Sequence, residues 1–468
     1  MLLNMTVGET IPVVVYNDLS WVRRDVATLP INSQNIQVSD SAGNAVRSQV
    51  NPSRFSNAPG SFNLFFEVNI PAMGFETYFI TRATSTNNKP TVETTNEATV
   101  LSNSIMTVSI GNSGIIESIG NAKSGIKANC TQQGMAYTSY SGGGQQSGAY
   151  IFKPSGPAHT LSSSSVATVS VKGELVQEVF QTFPSASGSS YYSQVLRLYN
   201  TSDSTTSGAL EILHQVGVLP QSTEMITRFT SDISNGEVVY TDDNGYQTKK
   251  RTADKNSAIP INYWPSVYWA YIQDSTRRLT VVHDSSHGAS TQASGSMELM
   301  VHRRTPYDDG RGLGEALDDT HIVHPTHRVL LDDPQDADLA RYHHTYRLNF
   351  PLNFYFGKPS SRESWTASYR TTLAPIKAIP DNIHVLSFSL INAETNTFVL
   401  RLTHLFGVAE SKKYASPVTV DLSDVFSGFY ISKIVEMALT GNSVVNASPG
   451  FKILLSPKEI RTFYVSLK

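Results

Sequence analysis

Short apolar runs with a two-residue period are the feature that most constrains the fold of this chain. Met297, Leu299 and Val301 form one face of such a run, and the same alternation recurs at residues 62–68 and 386–390. This period puts every second side chain on one face of a β-strand. Clusters of Gly, Ser and Asn separate the runs, and no long segment has helical spacing. The sequence therefore predicts an all-β protein with large antiparallel sheets.

The chain has 468 residues, a length typical of about three domains. We predict a small β-sandwich over residues 1–83 and a last β domain over residues 373–468. The segment 84–95, TSTNNKPTVETT, is poor in apolar residues and is predicted to be a linker. Residues 96–372 then form the largest block, in which many short strands follow one another.

Composition excludes several classes of protein. The net charge is −3 and basic residues are not concentrated anywhere, so nucleic acid is not an expected partner. No apolar run reaches the roughly 18 residues that span a bilayer, so no membrane association is expected. Cys130 is the single cysteine, which excludes an intrachain disulfide and a cysteine-based zinc module.

Four glycosylation sequons favour a secreted or luminal protein. The abundance of Ser, Thr, Asn and Gln relative to charged residues, which make up 16%, favours the same route. The N-terminal segment MLLNMTVGET has neither a basic start nor an apolar core, so we expect the targeting signal to lie outside this chain. The acceptor candidates are Asn4, Asn129, Asn200 and Asn446.

Two turn-rich segments carry candidate binding residues. The glycine-rich loop at residues 308–314 contains Arg311 and follows two further arginines, Arg303 and Arg304. The spacing alone favours a structural network in which these two arginines pair with the aspartates at 308 and 309. In VVYTDDNGY, the Asp-Asn-Gly sequence at 243–245 predicts a hairpin. From the sequence alone, Tyr240 of this hairpin is expected to pack in the core.

Histidines recur at His321, His324 and His327, and His343-His344 follows. A three-residue period fits neither face of a strand, and Pro325 prevents a helix there. Scattered histidines in loops and sheets are therefore favoured over a metal site. We predict no metal ligand and no catalytic residue in this chain.

Several longer segments resemble one known family. MELMVHRR followed by DDGRGLGE, together with VVYTDDNGYQ, resembles the C-terminal half of class II α-mannosidases, glycoside hydrolase family 38, of the lysosomal type. VVVYNDLSW with IPAMGFETYFI, and VLRLTHLFGVAESKKYASPVTVDLSDVF, resemble the family's early sandwich and its terminal domain. The resemblance implies a β-sandwich, a supersandwich of the kind also found in carbohydrate mutarotases, and a terminal β-sandwich domain.

The resemblance also implies which residues meet the sugar. Tyr240 matches the tyrosine that lines the mannose site, and Arg311 matches the loop arginine that reaches the active site of the catalytic domain. The family's nucleophile, acid–base and zinc ligands lie in an N-terminal barrel, which these motifs do not cover. His343-His344 resembles the family's zinc-binding His-His-Asp only in its first two residues, because Thr345 stands in place of the aspartate.

Two functions remain open at this point. The chain is expected to be the C-terminal, non-catalytic portion of a retaining α-mannosidase that removes terminal α-D-mannose from N-glycans in the lysosome or outside the cell. Its partners would then be mannose-containing glycans and the N-terminal catalytic portion, which holds the zinc. Alternatively, the chain is an autonomous carbohydrate-binding or structural β protein without hydrolase activity.

Overall fold

The chain folds into two compact units in the computed structural model. Unit 1 comprises Met1–Pro52, Pro59–Lys89 and Asp338–Lys468, and unit 2 comprises Ser53–Ala58 and Pro90–Ala337. The predicted domain boundaries stay a prediction; in this division, residues 338–372 group with the outer segments of the chain. The structure describes residues 2–55, 58–86, 90–95, 97–161, 165–185, 190–377, 379–408 and 410–468.

Thirty-four strands, two α-helices and two short 3-10 helices, Thr206–Gly208 and Ile259–Asn262, make up the described secondary structure. The first strands are β1 (Thr10–Tyr16), β2 (Arg23–Ile31), β3 (Ile36–Ser39), β4 (Ser48–Pro52), β5 (Phe62–Ile70), β6 (Phe75–Arg82), β7 (Thr91–Thr95), β8 (Thr99–Ser102), β9 (Met106–Ile110), β10 (Ile116–Asn121), β11 (Ile126–Thr138) and β12 (His159–Thr160). The next are β13 (Ala167–Lys172), β14 (Val176–Phe183), β15 (Tyr192–Tyr199), β16 (Leu210–Val216), β17 (Thr223–Ser231), β18 (Val238–Asp243), β19 (Gln247–Thr252), β20 (Tyr263–Ser266), β21 (Trp269–Gln273), β22 (Arg278–His283), β23 (His287–Ser290), β24 (Ser296–Arg304) and β25 (Thr326–Asp332). The last elements are α1 (Ala337–Asn349), β26 (Asn353–Phe356), α2 (Arg362–Ser368), β27 (Thr372–Leu373), β28 (Ile383–Asn392), β29 (Thr397–His404), β30 (Val418–Asp421), β31 (Ile431–Met437), β32 (Val444–Asn446), β33 (Lys452–Leu455) and β34 (Ile460–Leu467).

Unit 1 contains four of the sheets formed by described residues. A five-stranded sheet, β26-β1-β6-β27 with β3 beside β6, and the three-stranded sheet β2-β5-β4 share one core. The sheets β28-β29-β34-β31-β32 and β30-β33 share another core near the C-terminus. The alternating Leu64, Phe66 and Val68 of β5 are buried as expected. In the terminal domain, Leu386 and Leu390 of the predicted 386–390 alternation are exposed and Val385 is buried instead, because the pairing of β28 with β29 shifts register after Val385.

Unit 2 is built on two large sheets. The nine-stranded sheet runs β20-β23-β24-β17-β11-β10-β9-β8, with β12 beside β11; the ten-stranded sheet runs β19-β18-β21-β22-β25-β16-β15-β14-β13-β7. Apolar side chains of both sheets enclose one core, to which β24 contributes Met297 and Leu299 and β15 contributes Leu196 and Leu198. Every described strand pairing in the two sheets is antiparallel, which confirms the predicted all-β class.

Part of the segment predicted as a linker forms a strand. Residues 91–95 are β7, which pairs with β13 at the edge of the ten-stranded sheet. Residues 87–89 of the same segment lie outside the described residues. The low apolar content at 91–95 was therefore misleading, because an edge strand is held by backbone hydrogen bonds along one side.

Helix α1 was not predicted and holds His343 and His344, which were expected in a loop or sheet. Its buried face is polar: the Arg341 guanidinium donates to Asp338 one turn away and to Glu410 at 2.5 Å. A search for apolar spacing misses such a helix, since a buried ion pair occupies the positions where leucines are usual.

A charge ladder crosses the ten-stranded sheet on the face opposite its core. It consists of Glu178, Arg197, Glu211 and Arg328, which sit side by side on β14, β15, β16 and β25. The successive N–O distances are 2.7, 3.0 and 3.2 Å. Although burial raises the pKa of Glu211, the Arg328 and Arg197 guanidinium groups outweigh it and hold that pKa below its usual value.

Candidate functional site

Tyr240 lies on the outer face of β18, in a hairpin close to the edge of the ten-stranded sheet. The predicted hairpin is confirmed: β18 and β19 pair through a turn with positive φ at Asn244 and Gly245. Tyr240 is half-buried, and its ring stacks on Tyr271 with 4.6 Å between the centroids. Its neighbour Val239 faces the core instead, so the sequence-based expectation that Tyr240 packs in the core is wrong.

Asp242 fixes this hairpin from inside the sheet. Its Oδ1 accepts hydrogen bonds from the backbone N–H groups of residues 267, 268 and 269 at 2.7, 2.9 and 3.2 Å, and its Oδ2 accepts from Gly245 at 2.7 Å. Gly245 is required there, because a Cβ would come within 2.5 Å of the Tyr268 ring. The backbone that presents Tyr240 is therefore held by a buried carboxylate that the sequence did not single out.

Arg311 lies in the predicted polar loop after β24, and its side chain is exposed. One guanidinium nitrogen, Nη2, donates to Oε1 of Gln145 at 2.6 Å. Gln145 also donates from Nε2 to the carbonyl oxygen of Asp309 at 2.7 Å. The glycine-rich loop at 142–148, which the sequence did not connect with Arg311, thus supports its side chain.

Asp309 joins the two loops. Its Oδ2 accepts hydrogen bonds from the N–H groups of Tyr150 and Ile151 at 2.6 and 2.8 Å. Desolvation acts to raise the pKa of Asp309, but these backbone donors prevail and lower it. Gly148 allows the loops to approach, since a Cβ there would lie 2.7 Å from the Asp309 Cβ.

The predicted pairing of the other two arginines is wrong. Arg303 donates from Nε to Glu224 at 2.6 Å, and Arg304 donates from Nε to Asp318 at 2.6 Å. The cause is strand geometry: β24 continues to residue 304, so Arg303 faces Glu224 on the adjacent β17, whereas Arg304 reaches Asp318 farther along the following loop. Glu224 is fully buried, which makes its ion pair with Arg303 a structural one.

Tyr240 and Arg311 belong to different sheets of unit 2. Tyr240 is on the ten-stranded sheet, whereas Arg311 follows a strand of the nine-stranded sheet. Within the described part of the chain, no hydrogen bond, ion pair or cation–π contact joins them. Their proposed common role at a sugar site therefore stays a prediction.

Four buried histidines, here called the histidine layer, lie between the two sheets of unit 2. His214, His283 and His327 come from the ten-stranded sheet and His287 from the nine-stranded sheet. Burial lowers all four pKa values, with that of His214 at about 3 and that of His287 at about 4. The rings are therefore neutral near pH 7.

Neutral rings give the histidine layer a single direction of hydrogen bonding. His287 Nδ1 must donate to the Met300 carbonyl oxygen at 2.8 Å, so its Nε2 accepts from His327 Nε2 at 3.1 Å. His327 Nδ1 then accepts from His214 Nε2 at 3.1 Å. His214 Nδ1 is then an acceptor that faces the Tyr192 hydroxyl, 2.9 Å away, and it competes with Gln194 Oε1 for the single proton of that hydroxyl.

The histidines do not fit the zinc ion of the family. A zinc ligand needs a free nitrogen lone pair directed at a shared centre, whereas successive nitrogens of the histidine layer face one another across hydrogen bonds. Among the described residues, no group of three or more His, Cys, Asp or Glu side chains could hold a metal ion. His343 and His344, on α1, are not in such a group either.

Comparison with known proteins supplies the family. Residues 101–311 match the model of the glycosyl hydrolases family 38 C-terminal domain, and residues 382–463 match that of the family 38 C-terminal beta sandwich domain. The chain belongs to glycosyl hydrolase family 38. The first match includes both Tyr240 and Arg311, and the second falls within the terminal β domain.

Relatives of this family 38 chain are α-mannosidases. The chain is 29% identical to the alpha-mannosidase of Canavalia ensiformis, covering 97% of this chain and 53% of the relative. It is 31% identical to the lysosomal alpha-mannosidase of Bos taurus, with 98% and 49% covered. The chain thus spans about half the length of these relatives.

A solved structure shares the fold. An alpha-mannosidase from Enterococcus faecalis V583 superposes with a TM-score of 0.70 at 12% identity, covering 97% of this chain and 56% of that one. In the described part of the family 38 chain, neither helix has the length and apolar character needed to cross a bilayer.

Proposed function

We propose that this chain is the C-terminal, non-catalytic portion of a retaining α-mannosidase acting on terminal α-D-mannose of N-glycans. The observation that carries the proposal is that almost the whole chain aligns with about half of each α-mannosidase relative. In this proposal, a catalytic portion of the family type supplies the two carboxylates of a retaining hydrolase and the zinc ion.

Tyr240 and Arg311 are the residues that we propose to face the sugar. The exposed guanidinium group of Arg311 can donate hydrogen bonds to two neighbouring hydroxyls or to a carboxylate of the site. Its remaining N–H groups can maintain the hydrogen bond to Gln145. The half-buried Tyr240 offers a hydroxyl edge, and its stacking on Tyr271 fixes the ring. Both backbones are anchored by aspartates, so the two side chains are held before any ligand arrives.

We further propose that the protein works in the lysosome or outside the cell. Lysosomal α-mannosidases of Bos taurus and Dictyostelium discoideum are among the relatives. Asn4, Asn129 and Asn446 are exposed and therefore accessible to glycosylation. Asn200 is half-buried and donates its amide to the Glu174 carbonyl, so it is the weakest of the four sequon candidates.

The experiment compares variants in a protein that joins this chain to a family 38 catalytic portion. Arg311→Lys keeps the charge but loses the two-pronged geometry, so kcat/KM on an α-mannoside should fall about tenfold or more. Tyr240→Phe should cost about 0.5–1.5 kcal/mol of transition-state binding, the value of one hydrogen bond. Matched controls, Arg370→Lys and Tyr355→Phe, change exposed residues of unit 1 and should leave kcat/KM unchanged.

The chain alone provides the second half of the test. It should fold and show no hydrolysis of an aryl α-mannoside and no stoichiometric zinc. Zinc-dependent turnover by the 468-residue chain would contradict the proposal. Unchanged kcat/KM in both variants, together with a lower melting temperature of the chain, would favour a purely structural role for the two residues.

A further inference from the structure

A cavity of about 740 Å³ opens in unit 1 at the edge of the N-terminal sandwich. Strands β3 and β4, each at the edge of its own sheet, form two of its walls. The hairpin between them contributes Gly43, Ala45 and Arg47. The cavity, here called the amide cavity, therefore lies where the two sheets of the sandwich separate, and its volume is in the range of small-molecule sites.

Neutral polar side chains without partners line the amide cavity. Gln34, Gln37, Ser39, Ser48 and Thr86 all contribute to its wall, and their side chains make no hydrogen bond to any described residue. Such groups offer both donors and acceptors of hydrogen bonds. None of the described lining residues is acidic. A ligand with many hydroxyl groups would satisfy this set, since each hydroxyl both donates and accepts.

The remaining wall of the amide cavity is apolar. Ile36, Val38 and Val50 line it and are buried members of the core of the sandwich. Because these three are less than a tenth exposed, the apolar surface open to a ligand comes from the partly buried Val46, against which the C–H face of a sugar ring can pack. A ligand that is polar at its rim and apolar on its faces matches this combination better than a fully charged one does.

Among the described residues of the cavity wall, Arg47 is the one that carries a positive charge. Its Nη1 lies 3.3 Å from Glu67, and both side chains are about one-third exposed, at 38% and 34%. A pair this exposed is weak and easily exchanged.

We propose that the amide cavity binds a short neutral oligosaccharide. A single, partly neutralised arginine is too little charge for a phosphate or a polyanion, and the polar rim does not suit a lipid chain. The inference goes beyond the proposed function, because it concerns unit 1 and binding without hydrolysis, whereas Tyr240 and Arg311 belong to unit 2.

The test is isothermal titration of the 468-residue chain with α-linked mannotriose. The double variant Gln34→Ala/Gln37→Ala removes two exposed amides and should weaken binding about tenfold or more. Ser48→Trp fills the cavity and should abolish binding. Asn69→Ala, an exposed amide of the same sandwich outside the cavity, is the matched control and should bind as the wild type does. Circular dichroism confirms that each variant is folded.

Three outcomes would overturn the proposal. One is no heat of binding at millimolar mannotriose with the folded wild-type chain. Another is binding that the cavity variants leave unchanged, which would place the sugar elsewhere. The third is binding of a sulfated sugar alone that Arg47→Met abolishes, which would make the cavity an anion site. None of these results depends on hydrolysis, so the proposed function could stand or fall separately.

Discussion

Acidification should destabilise unit 2 through its histidine layer, and the magnitude follows from the structure. The four rings are neutral in the fold, while unfolded histidines take up a proton below a pKa of about 6.5. When the pKa in the folded state is lowered, stability is unaffected above the unfolded-state pKa of about 6.5. As the pH falls below 6.5, the unfolded state takes up protons that the folded state does not, and stability decreases. Each ring should therefore lower the free energy of unfolding by about 1.4 kcal/mol per pH unit, which amounts to about 2 kcal/mol at pH 5.

The four contributions sum to about 8 kcal/mol at pH 5, against a typical unfolding free energy of about 5–15 kcal/mol. Asp332 acts in the opposite direction. Burial raises its pKa to about 6, so its protonation between pH 7 and pH 5 increases the free energy of unfolding by about 1 kcal/mol. Carboxylates with lowered pKa values, such as Asp274 at about 2, lose their contribution only below about pH 4. The interval from pH 7 to pH 5 thus isolates the histidines.

The assay is urea unfolding followed by tryptophan fluorescence at pH 7, 6 and 5, with the free energy extrapolated to water. Trp264 and Trp269, both in unit 2, report on the relevant sheets. His283→Gln should reduce the pH slope by less than about one quarter, because burial also lowers the pKa of His302 and of His324 in unit 2. The exposed His159→Gln is the control and should leave the slope unchanged. A free energy of unit 2 that is flat between pH 7 and 5 would refute the neutral, unidirectional layer.

Three further predictions concern side chains that hold the sheets and loops. Asp242→Asn should place an amide donor against a backbone N–H and lower the free energy of unfolding by about 1–3 kcal/mol, measured by thermal melting. Asp243→Asn, on the exposed side of the turn, is the control and should have little effect. Arg197→Met leaves the buried Glu178 without the cation of the charge ladder and should lower the free energy of unfolding by about 3–5 kcal/mol, measured by chemical denaturation. Gly148→Ala should increase hydrogen exchange in the two loops that carry Arg311 without lowering the global melting temperature.

The alternation of apolar residues predicted many of the strands, although it missed β7 and did not identify the buried face of β28, where Leu386 and Leu390 are exposed. On β24, the alternation of Met297, Leu299 and Val301 correctly identifies the face of the strand that packs in the core. The opposite face was not predictable in the same way. Glu298 is fully buried there, because Tyr137 and Tyr263 donate to its carboxylate and Arg228 pairs with it. A single strand does not reveal which loop will cover its polar side.

The sequence predicted which residues could form the candidate site, but not the contacts that hold those residues in place. Family resemblance selects Tyr240 and Arg311, whereas the contacts that hold them extend to distant positions in the sequence. Gln145 is 166 residues from Arg311 along the chain, and Asp242 binds backbone N–H groups 25 to 27 residues away. Contacts of this range depend on the pairing of whole sheets, about which local periodicity carries no information.

The charge ladder has a consequence for how this sheet can change over evolutionary time. Each of its four charges, from Glu178 to Arg328, is neutralised by a neighbour on the adjacent strand, so a substitution at one position leaves an unpaired charge with little access to water. A lineage can leave this arrangement only by paired replacements, in which a glutamate and its arginine become apolar together or exchange sign. We therefore expect the positions on β14, β15, β16 and β25 to covary strongly among family members, while Val282, the next residue across the sheet, varies independently.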